Sequence, residues 1–129
     1  MKSFVVATAI FLSLVGPALA QSAIPALPKE IMGIWGFEDA ESCAKGSDTQ
    51  MTARAREVDF FASAYQLKKI WRQADGTVKA TAITSEEGEE GRRRGTIQLK
   101  LTSRDKLSVT TGRDAPMIYL RCKTQGKTG

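Results

Sequence analysis

The stretch Thr96-Ile97-Gln98-Leu99-Lys100-Leu101-Thr102-Ser103-Arg104-Asp105-Lys106-Leu107-Ser108-Val109-Thr110 decides the fold class. Ile97, Leu99 and Leu101 alternate with Thr96, Gln98 and Lys100, and beyond Ser103-Arg104-Asp105 the residues Leu107 and Val109 alternate with Ser108 and Thr110. Successive side chains of a strand point to opposite faces, so a period of two marks a strand with one buried face and one wet face. Two such runs joined by a short polar turn predict a hairpin. The pattern recurs around Ala74-Asp75-Gly76, where Tyr65 to Gln73 leads in and Thr77 to Thr84 leads out. Asp-Gly between two such runs supplies the positive backbone angles that a tight hairpin turn requires.

Outward from these hairpins, Gly33-Ile34-Trp35-Gly36-Phe37 alternates large apolar residues with glycine, as a strand lying close to another backbone would. Lys29 to Met32 fits one helical turn before it. Met117 to Cys122 is a final, nearly continuous apolar strand behind a Gly112 to Pro116 loop, and Thr52 to Phe61 is counted as one further strand. The expected fold is all-β: a small antiparallel meander, barrel or sandwich, of about seven to eight strands with one disulfide. One segment carries a second pattern. Met51, Ala55, Val58, Ala62 and Tyr65 recur at helical spacing behind the N-cap candidates Ser47, Asp48 and Thr49. Were Met51 to Lys69 a helix, the fold would be α+β with one helix on the sheet. The β-rich Val58 to Phe61 cluster, and the strand required to enter the Asp-Gly turn, favour strands.

The 129 residues suffice for one small domain. Residues 1–20 have the anatomy of a secretory signal: Lys2 as a positive n-region, Phe4 to Val15 as an apolar core, and Ala18-Leu19-Ala20 as a small-x-small cleavage site. That apolar run is too short for the roughly 20 residues that span a bilayer, so no membrane anchor is expected. A lipoprotein would carry a cysteine right at the cleavage site, whereas here Gln21 stands there and the first cysteine is Cys43, so no lipid anchor is expected either. The organisation expected is a signal peptide over 1–20, an extended leader over 21–28 with Pro25 and Pro28, one β domain over 29–122, and a polar tail over 123–129. Export implies a periplasmic or secreted protein. In an oxidising compartment Cys43 and Cys122 read as one structural disulfide, and the Cys-x-x-Cys spacing of a redox site is absent.

Composition also bounds the chemistry. There is no histidine and there are only two cysteines, which excludes Ser-His-Asp and Cys-His nucleophilic sites and Cys/His zinc sites. Glu38, Asp39 and Glu41 could supply paired carboxylates, but so exposed and highly charged a setting does not suit a catalytic acid–base pair. The acidic run Glu86-Glu87-Gly88-Glu89-Glu90 matches no calcium-loop spacing, and Arg92-Arg93-Arg94 follows it at once. No catalytic residue, cofactor or metal is expected. Net charge is +5, and loss of Lys2 on cleavage leaves 18 basic against 14 acidic residues, about +4. That mild excess favours an acidic partner, and export argues against nucleic acid.

The aromatic residues are the better lead. Trp35, Phe60, Phe61, Tyr65 and Trp71 are the ligand-binding candidates, although a small domain must bury most of its aromatic rings. Phe60 and Phe61 are adjacent, so on a strand one faces solvent or a partner if the other is core. Lys68, Lys69 and Arg72 around Trp71, with Arg92, Arg93 and Arg94, are the candidates for a basic partner-binding rim.

At Gly33-Ile34-Trp35 the chain resembles the opening of small secreted barrels: the Gly-x-Trp of lipocalin-like proteins and the similar start of periplasmic metalloprotease inhibitors of the Inh type. The resemblance covers the signal segment, Leu27 to Phe37, the meander and the single cysteine pair. It implies an antiparallel barrel holding a small hydrophobic molecule, or a leader (here Gln21 to Leu27) inserted into a protease cleft. The body is shorter than a lipocalin's, and the cysteines lie farther apart than in the inhibitors. The function expected is a non-catalytic exported binding protein holding a small hydrophobic ligand or a partner protein, with a leader-based protease inhibitor and a basic-rim envelope module as the other readings.

Overall fold

The structure is a computed structural model that describes residues 21–44 and 47–123. The signal-segment reading over 1–20 and most of the expected tail, 124–129, lie outside the described residues. The strands are β1 (Ser22–Ile24), β2 (Gly33–Phe37), β3 (Gln50–Arg54), β4 (Glu57–Asp59), β5 (Ser63–Arg72), β6 (Val78–Glu86), β7 (Arg93–Ser103), β8 (Lys106–Thr111) and β9 (Met117–Arg121). All pairings are antiparallel. The sheet runs β5-β4-β3-β2-β9-β8-β7-β6, and β6 returns to β5, so β2 to β9 close an eight-stranded barrel with β1 added outside it. Closure removes the free edges that an open sheet of this length would expose.

The hairpins expected around Asp75-Gly76 and Arg104-Asp105 are β5–β6 and β7–β8. In the first turn Asp75 Oδ1 accepts from Thr77 N at 2.9 Å, and Gly76 sits at φ 91°. The helical pattern over Met51 to Lys69 does not form a helix; the segment is β3, β4 and the first part of β5. Nor is Thr52 to Phe61 one strand. The chain reverses at Ala55-Arg56, and β3 and β4 pair as a tight hairpin with Ala53 opposite Val58. No glycine, proline, asparagine or aspartate marks that reversal, because it is held from outside. Leu67 N donates to Arg56 O at 2.8 Å, and the Arg56 guanidinium donates to Leu67 O (3.1 Å), Lys68 O (2.6 Å) and Pro25 O.

Arg56 occupies a seam. One edge of β5 is covered by β4 along Ala64–Gln66 and by β1 along Ile70–Arg72, and the guanidinium bridges the carbonyls left between them. From β1 the chain crosses one end of the barrel, where Leu27 and Ile31 are buried. Trp35, Met51, Leu67, Ile97, Leu99 and Leu107 fill the interior, each at most 1% exposed. Ala53, Ala80 and Ala82 are the small partners of those large side chains, the interlocking of sizes that close packing requires.

The loop between β2 and β3 folds back against the barrel wall. Its 3-10 turn, Ala40–Cys43, is capped by Asp39, whose carboxylate accepts from Ser42 N at 3.1 Å. Cys43 bonds to Cys122, which follows β9, with 5.4 Å between the Cα atoms. Gly36 permits this approach: a Cβ there would lie 2.9 Å from Ser42 Cβ and 3.0 Å from Cys43 Sγ. Gly36→Ala is therefore expected to destabilise the protein by roughly 1–3 kcal/mol through overpacking. Denaturant unfolding checks this, and an unchanged midpoint would mean that the turn does not rest on Gly36.

Candidate functional site

The five aromatic candidates do not converge on one cavity. Trp35 is wholly buried near the end crossed by Leu27 and Ile31; its Nε1–H donates to Ile31 O at 2.9 Å, and the Arg121 guanidinium lies 4.4 Å from the ring centroid. Arg121 is itself held by Glu30 O (2.7 Å), Arg104 O (3.0 Å) and Asp105 (3.4 Å). At the opposite end Phe60 packs edge-on against Tyr65 with centroids 5.6 Å apart, and Tyr119 lies between Phe37 (5.4 Å) and Phe60 (6.5 Å). Phe61 is 68% exposed, beside a shallow hollow of about 310 Å³ that it shares with Asp59, Glu86 and Glu87. Trp71 is half-buried in β5 between Ala23 and Lys79.

The buried aromatic end has a measurable consequence. Burial pushes the Tyr119 phenol up to about 12, and its hydroxyl makes no hydrogen bond among the described residues. Burial raises Tyr65 as well, against a hydrogen bond from Thr111 that lowers it. A phenol whose folded pKa exceeds its unfolded value loses its proton first in the unfolded chain, so stability is intact below pH 10 and falls as pH rises toward 12. Tyr119 alone accounts for roughly 2–3 kcal/mol across that window at 1.36 kcal/mol per unit. Urea titrations at pH 9 and pH 12 should show this loss, and Tyr119→Phe should remove most of it; an unaltered pH dependence in that variant would place the effect elsewhere.

The basic candidates divide. Arg72 pairs with Glu30 at 3.1 Å, Arg93 pairs with Glu89 at 3.4 Å, and Arg92 is exposed in the β6–β7 loop. Lys68, Lys69 and Arg94 are brought together, lining a groove of about 640 Å³ on the barrel wall with Thr81, Ile83 and Thr96. The physical device is a β-bulge. Leu67 faces Ala82 and Lys69 faces Thr81, so Lys68 is an extra residue on the β5 side of the ladder. Strict alternation would turn one of two adjacent lysines inward; the extra residue leaves both exposed while Leu67 and Ile70 stay in the core. Arg94 arrives from β7, across Ile83 of β6.

No carboxylate lines this groove, and none of its three cations forms a salt bridge among the described residues. A second groove of similar volume, beside Cys43 and Ser103, differs: Arg121 and Lys123 there share Asp105 at 3.4 and 3.8 Å. Sequence reasoning named Lys68, Lys69 and Arg94 but grouped them with Arg72, and it missed Thr81, Ile83 and Thr96. Those three could be found only from the β5–β6–β7 register, which no local signal encodes.

Among the described residues no group of three or more histidine, cysteine, aspartate or glutamate side chains is placed to hold a metal ion, and no helix is long and apolar enough to cross a membrane. No protein-family model, curated protein or solved structure matches the chain.

Proposed function

We propose that the chain is an exported, non-catalytic binding module that engages an anionic partner on the outside of its barrel wall. The observation that carries this reading is the groove of Lys68, Lys69 and Arg94, three cations that have no carboxylate partner among the described residues. Charges brought together without internal neutralisation raise the local potential and attract a partner of opposite sign. The barrel interior supports the same reading from the other side. Trp35, Met51, Ile97 and Leu99 occupy the space that a hydrophobic ligand would need, as side chains fill a small eight-stranded barrel. A leader-based inhibitor would have to strip Ser22–Ile24 from β5 and uncover Leu27 before entering a protease cleft. The disulfide fits an oxidising compartment, in keeping with export.

The test is binding to immobilised dextran sulfate as a function of salt. The triple reversal Lys68→Glu, Lys69→Glu, Arg94→Glu should weaken binding by at least about tenfold relative to a control with the same charge change at Lys29, Arg113 and Lys123. Equal losses in the two variants would reduce the effect to net charge and overturn the reading.

A further inference from the structure

We propose that the wall groove is a phosphate-ester site, with Arg94, Lys68, Lys69 and the Thr81 hydroxyl as its donors; the proposal rests on the outer-wall reading above. The bulge that exposes both lysines also shapes the Thr81 hydroxyl. Lys69 N donates to Thr81 Oγ1 at 3.3 Å, so the hydroxyl oxygen is engaged as an acceptor by the backbone. Its own proton has no acceptor among the described residues, and Thr81 lines the groove. Thr81 is thus set to donate, and the other three polar groups named are obligate donors as well. A site built of donors, with no carboxylate in its lining, is matched to an anion rich in acceptors.

Among anions the donor set favours a phosphate monoester over a carboxylate. The ester carries close to two negative charges and three acceptor oxygens, and the guanidinium fork of Arg94 matches two of those oxygens at once. Ile83 lines the same groove and offers an apolar contact to the carbon side of the ester. The shared chemistry is the phosphate group, which a soluble ester or a lipid headgroup could present.

The experiment titrates the oxidised protein with sn-glycerol 3-phosphate at constant ionic strength, by calorimetry, with Arg94→Lys and Thr81→Val alongside. Unchanged circular dichroism and thermal midpoint establish that each variant is folded. The expected result is saturable binding that acetate at equal ionic strength does not displace, weakened about tenfold or more in Arg94→Lys, which keeps the charge and loses the fork. Equal affinity in Arg94→Lys, or displacement by chloride at the same ionic strength, would overturn the proposal. Vesicles of phosphatidic acid in phosphatidylcholine, against phosphatidylcholine alone, separate the sources. Binding to the acidic vesicles that Arg94→Lys weakens assigns the headgroup, and ester binding without vesicle binding assigns a soluble ligand. Vesicle binding indifferent to Arg94→Lys, with no ester binding, overturns the site. If the triple reversal weakens dextran sulfate binding as expected while neither glycerol 3-phosphate nor the acidic vesicles bind in an Arg94-dependent way, the phosphate assignment falls and the outer-wall reading stands; loss of both results removes both.

Discussion

Removal of the Cys43–Cys122 disulfide is expected to lower stability by about 4 kcal/mol. The bond joins residues 79 apart in sequence, and closing a loop of that length restricts the unfolded chain by about that much in the chain-entropy model. For a domain of this size the thermal midpoint should fall by roughly 15–30 °C. The double variant Cys43→Ser, Cys122→Ser, compared with the oxidised protein by urea unfolding, measures the loss; a change under about 1 kcal/mol would mean that strain in the folded state offsets the entropy term. The same variant tests the loop's packing. With the link gone, the 3-10 turn can lift from the wall, so the cost of Gly36→Ala should shrink. A double-mutant cycle reads that coupling directly.

Trp35→Ala carries the other large effect, a loss of about 3–5 kcal/mol. The side chain is wholly buried, so truncation opens a cavity that its neighbours cannot fill without moving strands. It also deprives Ile31 O of the indole donor and Arg121 of the ring against which it stacks. Trp35→Phe should cost less, about 1–2 kcal/mol, because most of the volume remains while the indole hydrogen bond is lost. Urea unfolding of both variants checks the order. If Trp35→Ala lost less than 1 kcal/mol, Trp35 would not be the centre of the core.

Legibility followed the range of the interaction. Ile97, Leu99 and Leu101 announce their strand because the pleat imposes a period of two on any half-buried strand, and Asp75-Gly76 announces its turn because the backbone angles there demand such residues. Gly36 was readable as a place of close backbone approach, though not what would approach. The hairpin at Ala55-Arg56 was hidden inside a segment read as one strand, since its determinants are Leu67 O, Lys68 O and Pro25 O, 11 to 31 residues distant. The groove shows the same division. Lys68-Lys69 and Arg92-Arg93-Arg94 stand out as basic pairs and runs. Which of them meet depends on a bulge and on the β6–β7 register, and Arg72 and Arg93 were taken up by Glu30 and Glu89.

By itself the sequence determined the all-β class, the two clearest hairpins, the cysteine pairing available, and the absence of histidine chemistry. These follow from composition and from interactions between near neighbours in the chain. Only the tertiary structure decided that the meander closes as a barrel, that Trp35 lies inside it, and that Lys68, Lys69 and Arg94 share one groove. The physical reason is that closure satisfies the edge hydrogen bonds of β5 and β6 against each other, and this pairing sets the register that selects which side chains become neighbours.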